Sequence, residues 1–164
     1  MSASARPTAA LLITGSELLL GLIADRNTSF LAQTLDRLGL DLQRVLVVGD
    51  GEDEIVEGLE TLRRHDVLIT SGGLGPTHDD RTVAAIARAS GRPLELDAPL
   101  RATIAAVMDA FARRRGTERS EYVDGIDKQA LVPRGAEIID PIGTAPGLIV
   151  PWGETTVLVL PGPP

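Results

Sequence analysis

Apolar runs of strand length alternate with helix-like segments through the first half of the chain. Apolar residues in those segments recur three and four positions apart, which is the spacing of one face of a helix. The runs lie at residues 9–14, 41–48 and 66–70. The pattern predicts helices capped by Asn27 or Thr28 and by Asp50, and a third over 81–90 that Gly91 ends.

The second half of the chain has a less regular pattern. Residues 113–125 show no clear period and are predicted to form a loop, either a lid over a ligand or a solvated connector. The stretches "EIIDPIG" and "GLIVPWGETTVLVL" predict a β-rich end with a turn at 151–153. Residues 99–112 predict an amphipathic helix whose apolar side carries Leu100, Ile104, Val107, Met108 and Phe111.

Alternating strands and helices favour parallel βαβ units with right-handed crossovers. The carboxyl ends of parallel strands lie at one edge of the sheet, where ligands bind. We therefore expect three polar, glycine-containing segments to meet there: Gly15-Ser16-Glu17, Gly49-Asp50 and residues 71–80.

Composition narrows the class of protein. Hydrophobic residues make up 43% of the 164 residues but aromatics only 2%, so aliphatic side chains fill the core of what we predict to be one domain over residues 1–164. The net charge of −7 argues against nucleic acid as a partner. There is no cysteine, no convincing signal peptide and no apolar run long enough for a bilayer, so we expect a cytoplasmic protein without a membrane partner.

The sequence "SGGLGPTHDD", residues 71–80, is the most unusual segment and is called the glycine loop below. Its glycines allow close approach of a ligand, and successive backbone N–H groups can hold a phosphate. A structural interpretation is equally good on spacing alone: a tight turn in which Thr77 caps a helix and Asp80 is its capping-box partner.

Carboxylates follow three strands of the predicted sheet: Glu17, Asp50 and the pair Asp79–Asp80. Taken singly, each is better explained as a helix cap or a surface charge. Gathered at one edge they would repel each other, and a divalent cation would remove that repulsion.

Two further features carry candidate chemistry. Lys128 is the only lysine in the chain, and it is either a plain surface residue or a point charge for a phosphate. The small-residue stretch Gly143-Thr144-Ala145-Pro146-Gly147 is either a hairpin turn or a wall of the ligand site.

Four segments in the same order resemble one known family. They are "GSELLLGLIADRNTSFLAQTLDRLGLDLQRVLVVGD", "ITSGGLGPTHDD", "KQALVPRGAEIIDPIGTAPG" and "LVLPGPP". Together they resemble the N-terminal domain of CinA-type proteins, which is similar to the MoaB and Mog molybdopterin-binding domains. The resemblance covers nearly the whole chain from Leu11.

The resemblance implies a three-layer α/β/α fold with a mostly parallel sheet, a small β-hairpin extension and the site at the strand carboxyl ends. It also implies that relatives continue with a C-terminal helix that this chain lacks, and that the deamidase domain of fuller CinA proteins is absent. The residues that would contact the ligand are Gly15, Ser16, Ser71, Gly72, Gly73, Leu74, Gly75, Pro76, Thr77, Gly143, Thr144 and Ala145.

By the same resemblance, the activity is Mg²⁺-dependent hydrolysis of ADP-ribose to AMP and ribose 5-phosphate. Asp80, Asp50 and Lys128 would be catalytic, and Asp80, Asp50 and Glu17 would hold Mg²⁺ or another divalent cation, with K⁺ as a further candidate. The phosphorylated ligand would be ADP-ribose, an adenine nucleotide or molybdopterin, and the protein is expected to be a homo-oligomer.

Two alternatives stay open. The first is a molybdopterin-binding domain of molybdenum cofactor biosynthesis. The second is a non-catalytic oligomeric scaffold, because Ser16, Arg26 and Asp140 depart from the residues that most family members carry at these positions.

Overall fold

A mixed six-stranded β-sheet runs through the centre of the molecule. The computed structural model describes residues 6–115, 123–141 and 143–162. The strands are β1 (Thr8–Thr14), β2 (Asp41–Val48), β3 (Val67–Ser71), β4 (Leu94–Leu96), β5 (Leu131–Pro133), β6 (Glu137–Ile139), β7 (Gly147–Trp152) and β8 (Thr155–Leu160). The helices are α1 (Ser16–Leu19), α2 (Asn27–Arg37), α3 (Glu52–Leu62), α4 (Thr82–Ser90), α5 (Ala98–Arg115) and α6 (Val123–Gln129).

The large sheet has the strand order β2-β1-β3-β8-β7-β6. Strands β2, β1, β3 and β8 are parallel, whereas β7 and β6 are antiparallel additions at one side. The β7–β8 hairpin extends the sheet, and β4 pairs with β5 in a separate two-stranded sheet. Helices cover both faces of the parallel part, which confirms the predicted three-layer α/β/α fold.

Strand β1 is buried on both faces, which explains its continuous apolar sequence. Ala10 and Leu12 pack into the larger core cluster, together with residues of α3, α4, α5 and α6. Ala9, Leu11 and Ile13 point to the opposite face and pack with Leu35 of α2. Successive strand residues face opposite sides of a sheet, so one short strand supplies both cores.

The predicted strands and helices are confirmed up to residue 90, but the predicted helix caps are wrong. The N-cap of α3 is Gly51, and Asp50 makes no cap hydrogen bond to that helix. The N-cap of α2 is Arg26, one residue before Asn27. Asp25 accepts hydrogen bonds from the backbone N–H (3.0 Å) and the hydroxyl of Thr28, because a carboxylate just before a helix reaches its unpaired donors.

Helix α5 is longer than predicted and buries a slightly different face. Leu100, Ile104 and Ala112 are buried, whereas Val107 and Phe111 are each 39% exposed. The predicted loop 113–125 is wrong at both ends, since α5 continues to Arg115 and α6 begins at Val123. Its central residues, 116–122, lie outside the described residues. Within the described ranges, no helix combines the length and the apolar character that crossing a bilayer requires.

Candidate functional site

The carboxyl ends of β1, β2, β3 and β8 meet at one edge of the sheet, as their parallel directions require. The Gly15 N–H donates to Val48 O at 3.1 Å, which joins the ends of β1 and β2. The Gly72 N–H donates to Leu160 O at 3.2 Å, which joins the ends of β3 and β8. The segments after β1 and β2 therefore lie at the same edge as the glycine loop, as the sequence predicted.

The start of the glycine loop fits against β1 and α4 with no space for a side chain. Gly72 and Gly73 have φ angles of 111° and 67°. A Cβ at Gly72 would lie 2.5 Å from Thr14 O, and a Cβ at Gly73 would overlap Thr82 Oγ1. The Thr82 hydroxyl donates to Gly72 O at 2.8 Å and lies 3.4 Å from the Thr14 hydroxyl. These contacts require glycine at both positions.

Three consecutive backbone donors of this loop have no acceptor among the described residues. The N–H groups of Gly72 and Thr77 are occupied, by Leu160 O and by the Asp80 carboxylate. Within residues 6–115, 123–141 and 143–162, no acceptor is paired with the N–H groups of Gly73, Leu74 and Gly75. Consecutive free amides in a glycine turn form a concave donor set suited to an anion.

Asp80 stabilises the far end of the loop. Its Oδ2 accepts hydrogen bonds from the Thr77 N–H at 3.0 Å and from the Thr77 hydroxyl at 2.6 Å, and the Asp80 N–H donates to Thr77 O at 3.2 Å. The carboxylate also packs against Gly75, where a Cβ would lie 2.5 Å from Oδ2. The predicted Thr77–Asp80 pair thus exists, but it closes a turn before α4, whose N-cap is Arg81.

Helix α6 holds the glycine loop at three points, although its residues lie about fifty positions away in the sequence. The buried Gln129 side chain donates from Nε2 to Leu74 O at 3.0 Å. Lys128 Nζ donates to Thr77 O. Gly125 packs so closely on Pro76 that a Cβ there would lie 2.6 Å from the proline ring. The only lysine of the chain therefore contacts the glycine loop, and its role as a charge for a phosphate stays a prediction.

The groups around Lys128 shift its pKa in opposite directions. Partial burial lowers the pKa of Lys128 from its ordinary value, and the nearby Arg81 guanidinium lowers it further. The carboxylates of Asp80 and Asp79 act in the opposite direction. Lys128 thus belongs to a small charged cluster at the mouth of the loop, together with Arg81, Asp79 and Asp80.

Asp50 and Ser16 form a reciprocal pair between the ends of β1 and β2. The Ser16 N–H donates to the Asp50 carboxylate at 3.0 Å, and the Asp50 N–H donates to Ser16 Oγ at 3.3 Å. Glu54 accepts a hydrogen bond from the Gly49 N–H at 3.1 Å, and the Glu17 carboxylate packs against Gly15. These carboxylates each hold a backbone segment in place.

The donors for the expected metal are not assembled as one set. Across the described ranges, no group of three or more His, Cys, Asp or Glu side chains could hold a metal ion. The Asp80 and Asp50 carboxylates both accept backbone N–H groups, of Thr77 and Ser16 respectively. The arrangement therefore does not fit a cation held jointly by Asp80, Asp50 and Glu17.

Two successive hydrogen bonds that the sequence did not predict join α2 to the sheet edge. Asn27 Nδ2 donates to Ser71 Oγ at 2.7 Å, and that hydroxyl donates to Pro161 O at 3.4 Å. Asn27, Gln129 and the Thr14–Thr82 pair all position the edge, yet their only sequence signal is a polar residue beside an apolar element. Nothing in the local sequence says which partner each one finds.

A cavity of about 150 Å³ opens beside the glycine loop on the side of α6. Its walls are mostly apolar and come from α4, β4, β5 and β7, and three polar side chains, Asp80, Lys128 and Gln129, line it as well. Pro146, next to the predicted ligand residues Gly143, Thr144 and Ala145, also lines it. The stretch 143–147 thus lies at the site edge, and the roles of its residues stay predictions.

Sequence comparison places this geometry in a family. The family model described as "Probable molybdopterin binding domain" matches residues 10–164. The chain belongs to this family. Its CinA-type character is shown by a CinA-like protein of Mycobacterium marinum, 44% identical over 171 residues, and by one of Mycobacterium leprae, 44% identical over 167 residues. This domain spans 100% of its own length in both matches but only 39% and 38% of the two relatives.

Solved structures of similar proteins agree. The structure of CinA from Thermoplasma acidophilum has a TM-score of 0.83 and 33% identity, covering 97% of this CinA-type domain and 90% of that chain. The molybdopterin biosynthesis enzyme MoaB of Thermus thermophilus has a TM-score of 0.56 and 19% identity, over 96% of this domain and 82% of that chain. The second likeness shows the fold alone.

Proposed function

We propose that this domain binds a small phosphorylated ligand of the molybdopterin class at the glycine loop. The observation that carries the proposal is the set of three N–H groups, of Gly73, Leu74 and Gly75, that find no acceptor in the described part of the chain. A buried or half-buried backbone donor normally has a partner, so three in succession favour an anion as the missing acceptor. The family description supports a pterin as the rest of the ligand.

The charges around the loop support a small anion rather than a polyanion. The chain carries a net charge of −7, so only local donors can attract a phosphate. Lys128 and Arg81 supply positive charge at the mouth of the loop, and the carboxylates of Asp79 and Asp80 offset it. A single phosphate group at the backbone donors gains charge-assisted hydrogen bonds without needing a basic surface.

The test is calorimetric titration of the protein with molybdopterin, using Lys128→Ala and Arg37→Ala as a matched pair. Lys128 is the local cation, whereas Arg37 is an exposed residue of α2 that is remote in sequence from the glycine loop. We expect binding by the wild type, a loss of about 10- to 150-fold in Lys128→Ala and no change in Arg37→Ala, since one charge-assisted contact contributes about 1.5–3 kcal/mol. No binding of molybdopterin by the wild type would refute the proposal.

A second candidate is hydrolysis of ADP-ribose to AMP and ribose 5-phosphate with Mg²⁺. It rests on the resemblance of the sequence to CinA-type domains; the 44% identity to CinA-like proteins supports that family but names no activity. The carboxylates expected to hold Mg²⁺ do not form one group of ligands among the described residues, which weighs against this activity. Appearance of AMP only with Mg²⁺, and its loss in Asp80→Asn but not in the exposed control Asp36→Asn, would establish it. Absence of AMP would remove it.

We also propose a cytoplasmic homo-oligomer. The absence of cysteine fits a reducing compartment. Five apolar side chains at the end of α1, in the segment that follows it and in the first turn of α2 are more than half exposed, which is typical of a surface that another chain covers. They are Leu19, Leu20, Leu22, Ile23 and Phe30.

A further inference from the structure

The direction of the three amides in the glycine loop is set by groups that lie behind them. The peptide bonds in the described part of the chain are trans, so the carbonyl of one residue and the N–H of the next point in opposite directions. The N–H groups of Gly73, Leu74 and Gly75 therefore point away from whatever binds the carbonyl of the residue before each of them. All three of those carbonyls accept a hydrogen bond.

Thr82, the first residue of α4, holds two of these carbonyls. Its hydroxyl donates to Gly72 O at 2.8 Å, and its backbone N–H donates to Gly73 O at 3.2 Å. Because both carbonyls point to one residue, the N–H groups that follow them, of Gly73 and Leu74, both point away from it. Two neighbouring amides with a common direction form the concave donor set that suits an anion.

A second buried threonine fixes the Thr82 hydroxyl in turn. The Thr82 side chain is fully buried, so no bulk water competes for its proton. The Thr14 hydroxyl lies 3.4 Å from Thr82 Oγ1. A hydroxyl has one proton to donate, and that of Thr82 is engaged at Gly72 O, so Thr14 is the donor between the two threonines. The position of the Gly72 carbonyl thus depends on two side chains below the loop.

Gln129 of α6 holds the third carbonyl. Its side chain is only 7% exposed and donates from Nε2 to Leu74 O at 3.0 Å. The Gly75 N–H, on the other side of the same peptide, therefore points away from that side chain. The next residue is Pro76, which has no N–H, so the run of amides ends there. The held carbonyls and the amides without an acceptor among the described residues thus match one for one.

We propose that Thr82 and Gln129 are positioning residues for anion binding, each of which holds a peptide of the glycine loop so that its N–H faces the ligand. This inference rests on the proposed function and adds which residues outside the loop set the affinity. An anion that meets amides already turned toward it does not have to order them on binding, and this preorganisation increases affinity. The sequence separation of both residues from the loop glycines hides this role from any local motif.

The first experiment measures pyrophosphate binding by calorimetry in two variants that each release one carbonyl and in one conservative variant. Thr82→Val and Gln129→Leu remove a donor, whereas Thr82→Ser keeps the hydroxyl. We expect the dissociation constant to rise about tenfold or more in the first two and less than about threefold in Thr82→Ser, because one charge-assisted hydrogen bond contributes at least about tenfold to anion binding. Thr103→Val and Gln33→Leu, at exposed positions of α5 and α2, are the matched controls and should leave it unchanged.

Amide NMR separates positioning from a general loss of stability. Pyrophosphate is titrated to saturation into ¹⁵N-labelled protein, and the signals of the loop amides are followed. Thr82→Val should reduce the ligand-induced shift at the Gly73 amide and keep that at Gly75, and Gln129→Leu should do the reverse, because each variant releases a different peptide. A purely structural role of the two side chains would change both amides alike.

The outcomes are distinguishable. If the wild-type loop amides do not shift with pyrophosphate, the phosphate proposal and the positioning role both fail. If they shift but Thr82→Val and Gln129→Leu bind as tightly as the wild type, or Thr82→Ser binds as weakly as Thr82→Val, only the positioning role is overturned. A measurement on the wild type guards against misfolded variants: we expect a scalar coupling across the hydrogen bond from Gln129 Nε2 to the Leu74 carbonyl carbon, and its absence would contradict the held peptide.

Discussion

The steric fit of the glycine loop can be measured by comparing two alanine substitutions. Gly73 in the loop and Gly91 at the end of α4 have the same φ angle of 67°. A Cβ at Gly91 would meet nothing within 4 Å, whereas a Cβ at Gly73 would overlap Thr82 Oγ1. The two variants share the backbone strain, and only Gly73→Ala adds a collision.

The size of the difference follows from what Thr82 does. Placing alanine in the left-handed region costs about 1–2 kcal/mol at either position. In Gly73→Ala the displaced Thr82 hydroxyl also loses its 2.8 Å hydrogen bond to Gly72 O, and both residues are buried. An orphaned buried carbonyl costs about 1–3 kcal/mol, and crowding a packed site costs a similar amount. We expect the free energy of unfolding of Gly73→Ala to lie roughly 2–6 kcal/mol below that of Gly91→Ala.

Urea unfolding of both variants, followed by circular dichroism, gives these free energies. The variant Thr82→Ala and the double variant Gly73→Ala/Thr82→Ala complete a thermodynamic cycle. Because the alanine at position 82 removes the colliding oxygen, the double variant should lose less than the sum of the two single losses. Equal stabilities of Gly73→Ala and Gly91→Ala, or strictly additive losses in the cycle, would refute the steric explanation.

Three further predictions address the α6 contact, acid stability and self-association. Gln129→Leu should lower the free energy of unfolding by about 1–3 kcal/mol, because it leaves Leu74 O unpaired. The control Gln33→Leu, at an exposed position of α2, should change it by less than about 0.5 kcal/mol. Similar urea midpoints for the two variants would contradict a stabilising role of the Gln129–Leu74 contact. Hydrogen bonds from Thr8 hold the pKa of the Asp66 carboxyl below 3.8, and the bond from the Thr8 backbone N–H has a larger effect than that from its hydroxyl. The ionised carboxylate therefore stabilises the fold at higher pH, and this contribution is lost as the pH falls below 3.8. Thr8→Val removes the hydroxyl's bond to the Asp66 carboxylate and its bond from the Asp66 N–H, and keeps the bond from the Thr8 N–H to the carboxylate. It should therefore show a smaller loss of stability between about pH 5 and about pH 3, and an unchanged loss would disprove the assignment. Leu20→Ser should lower the molar mass measured by light scattering if the exposed apolar surface mediates self-association, and a monomeric wild type at all concentrations would remove that proposal.

Local sequence patterns predicted the elements that depend on near neighbours. The apolar runs before Gly15 and Ser71 became β1 and β3, because a strand buried on both faces needs an unbroken apolar sequence. The segment before Gly49 became β2, an edge strand whose residues are exposed or half-buried and whose sequence is accordingly more mixed. The caps were wrong because several polar residues stand near each helix start. Which one caps depends on the backbone path, and Asp25 rather than Asn27 reaches the first turn of α2.

Helix α6 and the strands β4 and β5 escaped prediction for a different reason. They are short, between three and seven residues, and segments of that length carry too few periods to be distinguished from loops. Their stability comes from packing, as for Ile126 and Val132 in the main core cluster. A pattern read along the chain contains no information about that cluster.

The alternation of strands and helices was enough to predict that the first three strands are parallel and that the glycine loop, Ser16 and Asp50 gather at one edge of the sheet, because the carboxyl ends of parallel strands lie together. What those residues contact depends on the tertiary structure. Gln129 meets Leu74 across 55 positions of sequence, and Asp50 meets Ser16 across 34. Contacts over such distances depend on how helices pack on the sheet, and that packing left an apolar cavity beside three amides that have no acceptor among the described residues.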